Sequence, residues 1–345
     1  MRNPLTTTTS LSSSLVAAVL LCAAQSAQAQ FDYSVFGVAD LSYGRFEPTG
    51  LYRTHRFNSN SLTATFAGAN ATYGLESGWT PGVTLEAFYR FQDKRFGRND
   101  RDPAFSRNAF VSLSHRDWGL LRAGRLQTVL FNTTTRFNAL GNSVGFSPAV
   151  RHVFAAGNLI GVQGDFYWNQ AVGYTTPRFE GALEGVQAAF ISARGERQNP
   201  GQLNSGTLIV ARGVYSGSLT YQRVDVDDGI NDPTLESTWQ LGANANYGWI
   251  SLFGQFTRST DKGLEVRSQT TSFGATMPVG PGTLQAQHAS SKANGLAVAR
   301  RHSSTSAAYV YAYDSITDFY VIAMDDRARG QTRGTSAAFG VRYKF

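Results

Sequence analysis

The segment Val83-Thr84-Leu85-Glu86-Ala87-Phe88-Tyr89-Arg90-Phe91 decides the fold class, because its apolar and charged residues alternate. The odd positions are all apolar or aromatic, whereas Glu86 and Arg90 share the even positions. Successive side chains of a β-strand point to opposite faces, so this period of two predicts a strand with one apolar face and one charged face. The end of the chain repeats the pattern, with Ala337, Phe339, Val341, Tyr343 and Phe345 alternating with Arg342 and Lys344.

Comparable segments run along the rest of the chain and bring the total to sixteen. They are Tyr33–Tyr43, Leu62–Tyr73, Arg107–His115, Leu120–Thr128, Phe166–Thr176, Leu183–Arg194, Thr207–Ser216, Ser218–Val226, Thr238–Tyr247, Trp249–Arg258, Thr270–Met277, Thr283–Ser290, Thr305–Tyr313 and Thr317–Asp325. An outer-membrane barrel needs an even number of strands if both termini lie on the same side, and about 9–11 residues per tilted strand. The pattern therefore predicts a closed, all-β, 16-stranded antiparallel transmembrane barrel over residues 30–345.

The connections between these segments alternate in length. Short turns are predicted at Arg116–Gly119, Ser216–Gly217 and Gly280–Gly282, and longer polar stretches at Asp93–Ser106, Gly195–Gly206, Asp261–Arg267 and Arg327–Gly334. Short periplasmic turns and long outer loops are typical of membrane barrels. A soluble β-sandwich is the alternative, but its connections would not alternate so regularly.

Residues 1–29 have the three parts of a secretory signal peptide. Arg2 supplies the positive start, Leu15–Ala24 is a short apolar run, and Ala27–Ala29 is a cleavage site of the A-x-A type. A lipoprotein signal at Cys22 is the weaker interpretation, because Leu21 replaces the small residue expected before it. Since Cys22 is the only cysteine, the mature chain is expected to have no disulfide, thiolate metal site or cysteine nucleophile.

Composition and charge narrow the class further. No apolar run after the signal approaches ~18 residues, so a helical membrane protein is excluded. The formal net charge is +7, yet the chain contains no run of Lys or Arg. Together with export, this argues against a nucleic-acid partner and favours a basic lumen.

Several stretches resemble strands of the general bacterial porins, in particular those of β-proteobacteria. They are Ser34–Asp40, Arg107–Leu113, Gly124–Thr128, Asn169–Pro177 and Thr317–Tyr320, in that order along the chain. The resemblance implies a homotrimer of barrels whose third loop, about Val129–Gly164 here, folds inward and narrows a pore. Tyr343 and the terminal Phe345 resemble the signal that the barrel-assembly machinery reads.

The chain departs from the family pattern in the charges near that loop. Ser61, Leu62 and Phe166 stand near positions where the family usually carries arginines, and the acids typical of the family's third loop are missing. Between Trp118 and Gly164 there is no Asp or Glu at all. Because charged rings set the selectivity of a pore, the sequence predicts a preference for anions.

Five arginines are candidates for the pore lining and the constriction: Arg90, Arg107, Arg125, Arg136 and Arg151. Charges inside a membrane protein usually face water and mark ion paths. The alternative is that these are solvated lumen charges without effect on flux. Asp40 has inward parity on the first strand, where we expect it to form a salt bridge across the lumen.

These observations predict a water-filled channel for passive diffusion of small hydrophilic solutes and ions, with no cofactor. None of the five histidines lies in an H-E-x-x-H or a G-x-S-x-G motif, so no enzyme is expected. Asp225–Asp232 lacks the glutamate of a calcium loop, and we interpret it as an outer loop near lipopolysaccharide. Two alternatives stay open. One is a substrate-specific channel in which the apolar Val153–Val162 and Phe166 contact the solute, and the other is a closed structural or adhesive barrel.

Overall fold

The structure is a computed structural model that describes residues 31–155, 166–195, 201–226, 234–263, 265–295 and 298–345. The predicted signal peptide lies outside these ranges and stays a prediction. Most of the acidic stretch Asp225–Asp232 and part of the expected third loop also lie outside them.

The described residues form eighteen strands in one antiparallel sheet, in which β1 pairs with β18. The strands are β1 Phe31–Phe46, β2 Thr54–Ser59, β3 Phe66–Tyr73, β4 Thr80–Arg90, β5 Arg95–Phe96, β6 Asn108–His115, β7 Gly119–Gln127, β8 Tyr167–Thr175, β9 Val186–Arg194, β10 Gly201–Arg212, β11 Tyr215–Val226, β12 Thr234–Asn246, β13 Ser251–Asp261, β14 Val266–Val279, β15 Gly282–Gly295, β16 Val298–Ala312, β17 Thr317–Ala328 and β18 Gly334–Lys344. Both β2 and β3 pair with β1, so together they form one interrupted strand of the wall. The short β5 pairs only with the end of β4. The wall is therefore a closed barrel of sixteen strands, as predicted.

The two faces of the wall are inverted relative to a soluble protein. On β12, Trp239 and Leu241 are 51% and 55% exposed, whereas the adjacent Thr238 and Gln240 are buried. Strand β11 shows the same alternation, with exposed Leu219 between buried polar neighbours. An apolar face turned outward and polar side chains turned inward are expected when lipid surrounds the barrel and the interior is polar. The soluble β-sandwich is therefore excluded.

Several connections differ from their predicted positions. The turn expected at Ser216–Gly217 is at Gly213–Val214, and both predicted turn residues lie in β11, paired with β10. Gly213 has a φ of 58°, which glycine adopts without steric cost and which a tight hairpin turn requires. Likewise, β10 begins at Gly201 rather than at Thr207, because its backbone pairing with β9 and β11 continues beyond the alternating residues.

The interruption between β2 and β3 is held by a buried carboxylate. Asp40 Oδ2 accepts hydrogen bonds from the backbone N–H groups of Leu62 (3.2 Å) and Thr63 (2.8 Å). The hydroxyl of Tyr320 donates to Asp40 Oδ1 at 2.7 Å. Buried backbone groups need such partners wherever the ladder is broken. The expected lumen salt bridge of Asp40 is therefore wrong: among the described residues the carboxylate is satisfied by uncharged donors.

Helical structure is confined to the connections. Helix α1 spans Val129–Arg136, and the short α2, Pro148–Val150, continues into a π-helical turn at Arg151–Ala155. A 3₁₀ turn lies at Gly181–Leu183. No helix within the described ranges is long and apolar enough to cross a membrane.

The C-terminal residue completes the closure of the barrel. Gly37 and Phe345 exchange backbone hydrogen bonds of 2.9 and 3.1 Å. A Cβ at position 37 would lie 2.5 Å from the Phe345 ring, so the glycine makes room for the ring.

Deletion of Phe345 is expected to lower the free energy of unfolding by about 2 kcal/mol, because two backbone hydrogen bonds at the seam are lost. We also expect poor insertion in cells, since Phe345 belongs to the predicted assembly signal. Heat-modifiable mobility in gels measures the folded fraction, and Phe345→Tyr is the matched control that keeps an aromatic terminus. A deletion variant with the wild-type folded fraction would contradict the prediction.

Candidate functional site

The connection between β7 and β8, whose described residues are 128–155 and Phe166, begins with a capped helix. The Thr128 side chain accepts a hydrogen bond from the backbone N–H of Phe131 (3.2 Å), which starts α1. The hydroxyl of Thr133 then donates to Gln240 Oε1 at 2.9 Å. Gln255 Nε2 donates to the backbone carbonyl oxygen of Phe137 at 2.6 Å. The β7–β8 connection thus contacts polar, buried residues of β12 and β13, far from its own strands in sequence.

The second half of the connection contacts the strands that follow. Ser147 Oγ donates to Gln287 Oε1 of β15 at 3.2 Å. The hydroxyl of Ser306, in β16, donates to the backbone carbonyl oxygen of Phe146 at 2.7 Å. These wall residues are buried and belong to the polar face of their strands.

A cluster around Asp326 fixes the end of the described connection. His302 Nε2 and Ser304 Oγ both lie 2.6 Å from Asp326 Oδ1. Arg151 Nη2 lies 3.4 Å from Asp326 Oδ2. His152 stacks on His302 with ring centroids 4.2 Å apart. Since Asp326 is 1% exposed, its charge is compensated by buried partners rather than by water.

His152 is held as a neutral ring. Burial lowers the pKa of His152 well below its ordinary value, and the neighbouring His302 acts in the same direction. Its ring nitrogens contact the hydroxyls of Ser291 (2.9 Å) and Ser304 (2.8 Å). The adjacent Arg151 also disfavours charging of His152, although burial is the larger cause.

A cavity of about 420 Å³ lies between the β7–β8 connection and the wall formed by β1, β2 and β4. Among the described residues, its charged lining consists of four arginines and no acid: Arg56, Arg98, Arg107 and Arg151. Its aromatic lining consists of Phe46, Phe88, Phe131, Phe146, Phe166 and Tyr167. We call this space the arginine cavity.

Three of these arginines form ion pairs with carboxylates that do not line the cavity. Arg107 is paired with Glu86, and its guanidinium carbon lies 3.9 Å from the centroid of the Phe66 ring. Arg98 Nε lies 2.8 Å from Asp102 Oδ2. Arg151 contacts Asp326 as described above. Guanidinium groups thus face the cavity, and their partner carboxylates lie behind them.

Arg56 differs from the other three. It forms no ion pair with any residue in the described part of the chain, and its guanidinium carbon lies 5.4 Å from the Phe46 ring centroid. The Arg56 side chain is exposed on the polar side of β2. It is therefore the most accessible positive charge of the cavity.

The structure separates the five arginines predicted from the sequence. Arg107 and Arg151 line the arginine cavity. Arg125 lies beside it, buried, with its guanidinium carbon 5.6 Å from the Tyr167 ring centroid. Its Nε donates to the carbonyl oxygen of Ser106 at 2.8 Å, and its Nη1 donates to Asn169 Oδ1 at 2.6 Å.

Arg90 and Arg136 do not line the arginine cavity. Arg90 forms ion pairs of 2.6 Å with Asp93 and with Asp100, both in the loop after β4. The hydrogen bond from Arg90 to Asp100 is the largest cause of the lowered pKa of this exposed carboxyl. Arg136 ends α1 and lines a different cavity together with Glu180. Neither arginine was expected to have acidic residues near it, and the folded loops bring Arg136 and Glu180 to one cavity.

Sequence reasoning missed Arg56 and Arg98. Arg56 lies in β2, which the alternation did not predict, although Arg56 and Asn58 alternate with the outward Phe57. That short alternation is the signal that could have found it. Arg98 lies in the loop between β4 and β6, where no periodicity exists to indicate which way a side chain points.

Comparisons with known proteins agree with this architecture. The family model for Gram-negative porins matches residues 14–331. Outer membrane porin protein 32 of Delftia acidovorans is 28% identical over 278 residues, which cover 77% of this chain and 76% of that protein.

Solved structures share the fold. The anion-selective porin from Comamonas acidovorans superposes with a TM-score of 0.77 at 22% identity, covering 92% of this chain and 100% of that one. The trimer form of OmpT from Vibrio cholerae gives a TM-score of 0.68 at 12% identity, with 92% and 100% covered. With the family model matching most of its length, the chain belongs to the Gram-negative porins, and its place is the outer membrane.

Proposed function

We propose that this porin is an open, water-filled channel for passive diffusion, and that the β7–β8 connection lies inside the barrel and narrows it. The contacts of that connection with the polar faces of β12, β13, β15 and β16 support this arrangement. In this account the arginine cavity is the constriction, and the solutes are small and hydrophilic. The family and the fold are those of channels, so we infer no enzymatic activity.

The channel is proposed to prefer anions. The observation that carries this proposal is the lining of the arginine cavity, to which the described part of the chain contributes four guanidinium groups and no carboxylate. Charge in a narrow, low-dielectric passage raises the local concentration of the opposite ion. Although Glu86, Asp102 and Asp326 reduce the net charge, they lie behind the arginines. The similar fold of a porin named as anion-selective points in the same direction.

The reversal potential of the purified protein in a planar bilayer tests the preference. Under a potassium chloride gradient, we expect the potential to shift toward the chloride equilibrium value. The shift should shrink at high salt, because screening weakens the field of exposed charges. A shift toward the potassium equilibrium value would contradict the preference but not the open channel.

We further propose that the chain assembles as a homotrimer, as the family resemblance implies and as the trimer form of a structural neighbour supports. Lipopolysaccharide, outer-membrane lipid and the barrel-assembly machinery are its proposed partners. Light scattering in mild detergent should give the mass of three chains per particle after subtraction of the detergent. A mass of one chain per particle would contradict the trimer.

A further inference from the structure

We propose that the arginine cavity is a binding site for aromatic carboxylates, which bind there while they cross the channel. This inference rests on the proposed channel function and deepens it, because it names a class of solute. It follows from the combination of two linings in one cavity, one aromatic and one cationic.

Four of the six aromatic residues, Phe88, Phe131, Phe166 and Tyr167, form one connected group of ring contacts. Phe131 and Phe166 stack with ring centroids 4.6 Å apart and planes 19° apart. Tyr167 meets Phe88 edge to face at 5.7 Å. Rings that are fixed by one another offer flat apolar surface to a planar solute without losing side-chain freedom on binding. Phe166 is the half-buried member of this group, and so presents the accessible ring.

The cationic lining lies against the rings. The guanidinium carbon of Arg98 is 6.0 Å from the Phe166 ring centroid and 5.8 Å from that of Tyr167. The guanidinium carbon of Arg56 likewise lies 5.4 Å from the Phe46 ring centroid. A guanidinium group can hold a carboxylate with two parallel hydrogen bonds, and its face can also pack on an aromatic ring. A solute that carries both groups can therefore use both linings at once.

The size and chemistry of the cavity argue against the simpler occupants. A volume of about 420 Å³ lies within the range of small-molecule sites, roughly 300–1,000 Å³. A small inorganic anion would lose hydration beside the rings without burying apolar surface. A neutral aromatic solute would displace water from the exposed Arg56 guanidinium without supplying a counter-charge, which is costly. An aromatic anion avoids both costs.

Block of the chloride current in planar bilayers tests the proposal. The probes are benzoate, cyclohexanecarboxylate, acetate and the neutral benzamide, each added to the wild-type channel at neutral pH. We expect half-block by benzoate at a concentration about tenfold lower than by acetate, since ring stacking and cation–π contacts add to the charge. Cyclohexanecarboxylate should lie between them, and benzamide should block least.

Two variants assign the effect to this cavity. Arg56→Gln is expected to weaken block by both cyclic carboxylates several-fold. Phe166→Leu keeps an apolar side chain but removes the ring, so the ratio of benzoate to cyclohexanecarboxylate potency should fall toward one. Arg223→Gln is the matched control, because Arg223 is exposed, is paired with Asp225 and does not line the cavity.

The outcomes separate this inference from the channel function. Equal potency of benzoate and acetate in a conducting wild-type channel would overturn the aromatic-carboxylate site and leave the channel intact. Equal effects of Arg56→Gln and Arg223→Gln would overturn the assignment to this cavity. A correctly folded protein that passes no current would instead overturn the proposed function. The comparison of benzoate with acetate in the wild-type channel tests the aromatic-carboxylate site by itself, so the test still holds if a variant misfolds.

Discussion

Replacement of Asp326 by alanine is expected to lower the free energy of unfolding by about 3–5 kcal/mol, the usual cost of breaking a buried ion pair. The Asp326 carboxylate is 1% exposed and accepts from Ser304 and His302, while Arg151 lies 3.4 Å away. Its removal leaves these donors buried without an acceptor. Because Arg151 is on the β7–β8 connection, that connection should also lose its anchor to β17.

Urea titration of the refolded barrel in detergent, followed by gel mobility, measures the loss of stability. Asp325→Ala is the matched control, since the neighbouring Asp325 forms more exposed ion pairs with Arg327 and Arg333. Pairs of that kind contribute about 0–1 kcal/mol. Increased current noise in open Asp326→Ala channels would report the freed connection. Equal stability losses in the two variants would show that the Asp326 cluster does not hold the β7–β8 connection in place.

Replacement of Arg56 by glutamate is expected to give the largest change in ion selectivity. It changes the charge by two units at an exposed position of the cavity lining that forms no ion pair within the described residues. For an ion about 6 Å away in an aqueous medium, this change disfavours chloride and favours potassium by about 1.4 kcal/mol each, so the ratio of chloride to potassium permeability should fall by up to about a hundredfold. Reversal potentials measured under a salt gradient give that ratio directly.

Arg223→Glu provides the control for this prediction, because it makes the same change of charge outside the cavity. We expect it to leave the permeability ratio nearly unchanged at moderate salt, where exposed charges beyond about 10 Å are screened. Equal shifts in both variants would mean that selectivity reflects the net charge of the whole protein. No shift in Arg56→Glu would place the constriction elsewhere.

Much of the barrel could be predicted from the sequence, because the alternation of apolar and polar residues is local. Each predicted segment corresponds to a strand of the wall, from Tyr33–Tyr43 in β1 to Ala337–Phe345 in β18. The ends of several strands differ from their predicted positions. Backbone pairing extends strands into polar sequence, as at the start of β10, and the turn between β10 and β11 lies at an earlier glycine than expected.

The site could be predicted only in part, because it depends on contacts between residues far apart in the chain. The arginine-rich, acid-free connection indicated a basic passage, and Arg107 and Arg151 do line the cavity. The partners of those arginines could not be foreseen: Arg151 and Asp326 are 175 residues apart, and no local pattern links them. The same limit explains the error on Asp40, whose nearest donors come from the broken strand and from Tyr320.

The apolar residues of the connection illustrate a further limit. Val153 and Phe154 of the apolar stretch Val153–Val162 are buried against Leu130 and Phe131, where they pack α1 rather than contact a solute. The rest of that stretch lies outside the described residues. Phe166, named with it in the alternative of a substrate-specific channel, does line the arginine cavity. Hydrophobicity alone could not separate residues that pack within the connection from those that line the arginine cavity.

Whether this porin forms an open channel is decided by single-channel recording of the purified, heat-modifiable protein in a planar bilayer. We expect stable, ohmic conductance steps whose reversal potential moves toward the chloride equilibrium value under a salt gradient. The absence of conductance from correctly folded protein would contradict it and would favour a closed structural or adhesive barrel.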